Sequence, residues 1–196
     1  VKAERGAADG EPSGYLLIPR LLGVLLALLV LAAPAAADDI DRLLREMQLV
    51  ALPGERPPTF TLARVDGGKA TLAEQQGKVV LVYFWATWCG YCRRELPAAV
   101  EKVVRQRKGQ PFTVLAVNIE EPRDLVAAYV RETGISPPVL LDRSGEVARA
   151  YRVTATPTTY LIGRDGRLVA RAAGTRAWDG PAGRALLDAL VAAPAK

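Results

Sequence analysis

The chain has 196 residues, half of them apolar, with a net charge of +5, two cysteines and no histidine. Without an imidazole there is no Ser-His-Asp or Cys-His pair, no His-ligated metal and no CxxCH haem attachment, and two cysteines fall short of a four-cysteine zinc site. The length suits one domain that buries a core without a disulfide framework. The basic excess is interleaved with acidic residues, so it reads as surface rather than a nucleic-acid face; its densest run, RQRKG at 105–109, reads as the solvated end of a helix.

In chain order, Leu21 to Ala33 is an uncharged apolar run between Arg20 and the sequence Pro34-Ala35-Ala36-Ala37. It has the outline of a signal peptide over 1–37, cut after Ala37. The alternative is a retained membrane anchor, which wants about 20 apolar residues and reaches that length only by running upstream through Arg20 and Pro19. Glu4, Asp9 and Glu11 fit a basic leader poorly. On either reading the remainder is exported.

Residues 38–58 are expected to form a helix and a linker, with Ile40, Leu43, Leu44 and Met47 at helical spacing over 39–50 and LPGERPP breaking them off. The domain proper is expected over 59–196. A strand near 59–65 and the turn DGGK lead to Val79–Trp85, VVLVYFW, whose unbroken apolar run suits a central strand buried on both faces. A long helix is expected from Gly90 to Lys108, a strand at 112–118, a helix at 123–134 ended by Gly134, and a strand at 138–142. After the short helix SGEVARAYRV, strands 158–162 and 167–174 form a hairpin through Arg164-Asp165-Gly166, and an amphipathic helix closes the chain over 181–193. The fold class is α/β, three layers with a mixed central sheet and helices on both faces.

Both cysteines lie at one junction, Trp88-Cys89-Gly90-Tyr91-Cys92, between the buried strand and the long helix. Unpaired N–H groups and the helix dipole favour an anion there, so the Cys89 thiol pKa should fall and Cys89 becomes the nucleophile. Cys92, one turn on and less exposed, is placed to attack the mixed disulfide and release the partner. Arg93 and Arg94 add positive charge nearby. A purely stabilising disulfide is the competing reading, but so short a loop removes only about 1.9 kcal/mol of unfolded-state entropy. Strand, CxxC and helix in that order point to thiol-disulfide exchange.

The stretch Phe84 to Pro97, FWATWCGYCRRELP, with the segment Tyr151 to Ile162, YRVTATPTTYLI, resembles the thioredoxin superfamily, and within it the exported TlpA/ResA/DsbE-type thiol-disulfide oxidoreductases, over about residues 53 to 190. The resemblance implies a thioredoxin-like fold, with the helix and strand at 123–142 as an extra α-β insertion. It implies that Pro157 is cis and faces the disulfide, and that the backbone of Thr156 pairs with the substrate chain; on the residues alone Pro157 could equally open a strand. Thioredoxin has a buried aspartate at the position of Tyr83, which cannot serve as a carboxylate base. Glu95, one turn past Cys92, is the candidate replacement, a glutamate the TlpA/ResA type also carries; a carboxylate partly buried there would have a raised pKa and could take the Cys92 proton. The competing reading of Glu95 is a solvated side chain reaching Lys102. Pro97 matches a mid-helix kink. Trp85 and Trp88 are expected to pack around the site, and Trp88 and Tyr91 to meet the substrate.

In the families it resembles, such proteins reduce haem-binding cysteines of apocytochrome c or copper-site cysteines in the bacterial periplasm or at the outer face of the cytoplasmic membrane. They draw electrons from a membrane thiol reductase of the DsbD/CcdA kind. No cofactor, metal or nucleic acid is expected, and the chain is expected to be a monomer. Two alternatives remain. A peroxiredoxin's P-x-x-x-T-x-x-C motif would need Pro at 82 and Thr at 86, where this chain has Val82 and Ala86. A Sco-like copper-binding module would need a distal histidine and a wider cysteine spacing.

Overall fold

The computed structural model describes residues 38–195; the expected leader lies outside them. The elements are a helix α1 over 38–46, strands β1 (Val50–Ala51), β2 (Thr61–Arg64), β3 (Lys69–Thr71) and β4 (Val79–Trp85), then helix α2 (Gly90–Glu95), a π turn (Leu96–Val100) and helix α3 (Glu101–Gln106). Strand β5 (Phe112–Ile119), helix α4 (Arg123–Thr133), strand β6 (Val139–Asp142), helix α5 (Glu146–Ala150), strands β7 (Thr158–Ile162) and β8 (Leu168–Ala173) and helix α6 (Pro181–Ala192) follow.

One sheet runs in the order β1-β8-β7-β4-β5-β6-β2-β3. Strands β4, β5 and β6 are parallel and every other pairing is antiparallel. All seven residues of β4 are buried, as an unbroken apolar run demands of a strand covered on both faces. Alternation along it feeds two cores. Leu81, Tyr83 and Trp85 pack with side chains of α1, α3, α4 and α6, and Val80, Val82 and Phe84 pack with Tyr151, Tyr160 and Ala148 of α5. Helices therefore cover both faces of a mixed sheet, a thioredoxin-like α/β fold with the extra unit α4-β6.

Three local expectations change. The first helix stops at 46: Gln48 takes φ 54, and Val50 and Ala51 pair with Arg171 and Ala170 of β8 instead of continuing it. The long helix is interrupted at Leu96–Val100, because Pro97 has no N–H and its ring crowds the carbonyl one turn back, so the ladder widens locally. The run 105–109 is not wholly solvated: Arg107 is 3% exposed, bonds Asp188 at 2.7 Å and the Arg184 carbonyl at 3.1 Å, and ties α3 to α6.

Candidate active site

Strand β4 delivers the chain to the cysteines at its C-terminal end. Cys89 caps α2, with its Sγ accepting the Cys92 N–H at 3.1 Å, and the two sulfurs form a disulfide. Cys89 is 5% exposed and Cys92 is fully buried, the expected order, although Cys89 too belongs to the core cluster. Its neighbours stand out: Trp88 is 73% exposed and Tyr91 62%. The two tryptophans therefore part company. Trp85 is buried against Tyr129, with ring centroids 5.1 Å apart, while Trp88 is largely exposed to solvent. Arg94 stacks over Tyr91 and Arg93 over Tyr129, at 4.9 and 5.3 Å from the ring centroids.

The β4–β7 register pairs Phe84 with Thr158, which sets Pro157 level with Trp85, at the end of β4 that bears the disulfide. The Thr156-Pro157 bond is cis. Thr156 is half-buried, and among the described residues nothing bonds to its backbone N–H or carbonyl. With Trp88, Ile119, Ala148 and Val153 it lines an open groove of about 210 Å³.

Glu95 is buried, 6% exposed, one helical turn beyond Cys92. It accepts the Tyr83 hydroxyl at 2.9 Å and the Arg176 N–H at 2.7 Å, whereas Lys102 pairs with Asp179 at 3.0 Å, so the solvated reading of Glu95 falls away. Burial pushes its pKa above the ordinary carboxyl value, and the Arg176 N–H and the Tyr83 hydroxyl offset only part of that rise. Tyr83 is pushed up by burial and by the adjacent carboxylate, and acts as a donor at neutral pH.

A second carboxylate escaped the sequence reading. Glu121, also 6% exposed, accepts the Thr87 N–H at 2.7 Å, the Thr87 hydroxyl at 2.5 Å and the Asn118 side-chain amide at 2.6 Å. Its one signal in the sequence is Asn118 closing the apolar run FTVLAV, a polar side chain where the strand's own pattern leads into the core. Among the described residues no group of three His, Cys, Asp or Glu side chains is placed to hold a metal.

Comparison with known proteins agrees with this geometry. Residues 53–171 match the AhpC/TSA family. The thiol-disulfide oxidoreductase ResA of Geobacillus kaustophilus is 36% identical over 141 residues, 72% of this chain and 80% of that protein. ResA of Bacillus subtilis is 34% identical over 122 residues, 62% of this chain and 68% of that protein. Among solved structures, a thiol:disulfide interchange protein of the thioredoxin family from Chlorobium tepidum superposes with a TM-score of 0.64 at 27% identity, covering 71% of this chain and 98% of its own. A secreted Mycobacterium tuberculosis disulfide oxidoreductase shares the fold, with a TM-score of 0.57 at 22% identity over 68% of this chain and 96% of its own.

Proposed function

Because this chain belongs to the AhpC/TSA family and is a ResA-like thiol-disulfide oxidoreductase, we propose that it is an exported reductant of protein disulfides, with Cys89 as nucleophile, Cys92 as resolving thiol and Glu95 as proton acceptor. In the reduced enzyme the Cys89 thiolate attacks one sulfur of a substrate disulfide, forms a mixed disulfide and expels the other substrate sulfur as thiolate. Cys92 then gives its proton to Glu95 and attacks Cys89 Sγ, releasing the second substrate thiolate. The substrate gains two electrons and the enzyme is left as the Cys89–Cys92 disulfide, the state seen here. A dithiol donor returns the two electrons.

The observation that carries this reading is the buried Glu95, one turn from a fully buried Cys92 and with its pKa raised by desolvation. A buried thiol cannot lose its proton to water, and a carboxyl whose pKa is raised toward the working pH is a better acceptor than an ordinary one. Trp88 and Thr156, which line the groove, and the exposed Tyr91 are the proposed surface for a polypeptide, with Pro157 next to Thr156 completing it. The proposed substrates are haem-binding cysteines of apocytochrome c or copper-site cysteines, the donor a membrane thiol reductase of the DsbD/CcdA kind, and the place the periplasm or the outer face of the cytoplasmic membrane.

The test is insulin reduction together with trapping. Cys89→Ser abolishes turnover, and Cys92→Ser accumulates a mixed disulfide with its partner, whose identification by mass spectrometry gives the substrate and the direction of electron flow. Wild-type turnover in both variants would falsify the reading.

A further inference from the structure

The chemistry above leaves Glu121 unused. Its position depends on an unusual backbone: Glu120, which closes the path from β5, takes φ 55, a left-handed conformation uncommon for a residue with a side chain. Directly after that turn, Glu121 gives both carboxylate oxygens to Thr87, one to its N–H and one to its hydroxyl, and is braced from behind by Asn118. The third polar group of Thr87, its carbonyl, accepts Arg93 Nη1 at 3.4 Å, and the Arg93 guanidinium lies over Tyr129, which packs on Trp85. Side chains from beyond β5 and from α2 thus hold every hydrogen-bonding group of one residue.

That residue sits where regular structure provides least support. Strand β4 has ended at Trp85 and α2 begins at Gly90; in the connecting loop the Cys89 N–H bonds the Ala86 carbonyl at 3.2 Å and the Cys89 carbonyl accepts the Arg93 N–H at 3.0 Å, and among the described residues no backbone bond reaches Thr87. The loop carries Cys89, two residues after Thr87, and the exposed Trp88 between them. Sulfur-sulfur displacement needs the attacking thiolate in line with the bond it breaks, and a misplacement of about 1 Å can cost on the order of a hundredfold in rate.

We propose that Glu121 is the positioning residue for the attacking thiol: its carboxylate fixes the Thr87 peptide, and through it the place of Cys89 and the outward stance of Trp88. The inference rests on Cys89 being the nucleophile, and Cys89→Ser tests that premise separately, since insulin reduction surviving in that variant would overturn the premise whatever Glu121 does.

The experiment measures two rates on the reduced protein, well below its melting temperature. One is alkylation of Cys89 by iodoacetamide from pH 5 to 9, with the modified cysteine identified by peptide mapping. The other is kcat and KM for insulin reduction. Glu121→Ala removes both acceptor oxygens and with them all three hydrogen bonds, and both the alkylation rate and kcat/KM should fall about tenfold or more. Glu121→Gln should recover most of the loss, because its amide oxygen can accept the Thr87 and Asn118 N–H groups while its NH2 donates to the Thr87 hydroxyl. Thr87→Val keeps the backbone bond and loses only the hydroxyl, so it should fall between the two. A Glu121→Ala protein that melts lower yet alkylates and turns over at wild-type rates would reduce Glu121 to a stabilising contact and overturn the proposal. Equal loss in the Ala and Gln variants would also overturn it, by assigning the effect to charge. If the Ala variant does not fold, wild-type rates in Thr87→Val would overturn it.

Discussion

Replacing Glu95 by Gln separates what this carboxyl does for the fold from what it does for the thiols. Burial raises its pKa in the folded protein. As pH rises past the ordinary carboxyl value of 4.5, the unfolded chain gives up a proton that the folded protein retains. The unfolded state then binds fewer protons, so stability falls with rising pH until the folded pKa is passed, and the loss persists at neutral pH. Gln carries no such equilibrium. Its amide oxygen can accept the Arg176 N–H and its NH2 can donate to the Tyr83 oxygen, which reverses that bond and leaves the buried phenol hydrogen without its acceptor, at about 1–3 kcal/mol. Glu95→Ala orphans both donors and should cost about 2–6 kcal/mol by the same measure, a large share of a total stability of about 5–15 kcal/mol. Urea unfolding of the oxidised protein from pH 4 to 8 is the assay, because disulfide-bonded cysteines do not titrate. Wild type should lose stability relative to Glu95→Gln as pH rises, and turnover of the Gln variant should drop where resolution by Cys92 limits it. A difference that stays flat across that range, or has the opposite slope, refutes a raised Glu95 pKa and with it the reason to make Glu95 the proton acceptor.

Tyr83→Phe removes a bond that favours the ionised carboxylate, so the Glu95 pKa rises further and the Glu95-dependent limb of the pH-rate profile moves to higher pH, with about 1 kcal/mol of stability lost; a limb that does not move uncouples the two groups. Trp88→Ala removes an exposed aromatic anchor, and kcat/KM for insulin should fall about tenfold while reduction of a small aromatic disulfide and the melting temperature hold; equal loss on both substrates would make Trp88 structural. Gly183→Ala sets a Cβ 2.5 Å from the carbonyl oxygens of Ala177 and Trp178, so overpacking should cost about 1–3 kcal/mol and lower the melting temperature with Cys89 alkylation unchanged.

What the sequence disclosed follows from which interactions have a period. Strand β4 was legible because an unbroken run of seven apolar residues rich in β-branched and aromatic types suits a strand covered on both sides, and Gly134 marked the end of α4, where it takes a left-handed φ of 64. The CxxC was legible because its chemistry lies within four residues. Strands β1 and β3 were not, since two and three residues at a sheet edge carry no alternation and exist only because β8 and β2 offer partners. Arg107 looked like one more solvated cation in a basic run, because its carboxylate partner lies 81 residues away on α6. Glu121 was hidden in the same way: its contact with Thr87 spans 34 residues and needs both the parallel β4–β5 register and the turn at Glu120 before it can be seen.

Two of the buried glutamates, Glu95 and Glu121, lie on either side of the cysteine pair in a chain without histidine. Asn118 and Trp85 are register partners, so the ends of β5 and β4 lie side by side, and Glu121 reaches across to the loop ahead of Cys89. Glu95 lies on the helix after Cys92 and is bound by a phenol and one backbone N–H, neither of them in the loop. One carboxyl therefore bonds the loop ahead of Cys89 while the other lies one helical turn beyond Cys92, the place that the proposed proton transfer requires, and Tyr83, at the position where thioredoxin keeps an aspartate, supplies a hydrogen bond to the second. Histidine is the side chain whose ordinary pKa lies between pH 5 and 8, and this chain has none. Glu95 is a buried carboxyl whose pKa burial raises, so a limb of the pH-rate profile that vanishes in Glu95→Gln belongs to that carboxyl, and a profile that the substitution leaves unchanged removes Glu95 from the proton path.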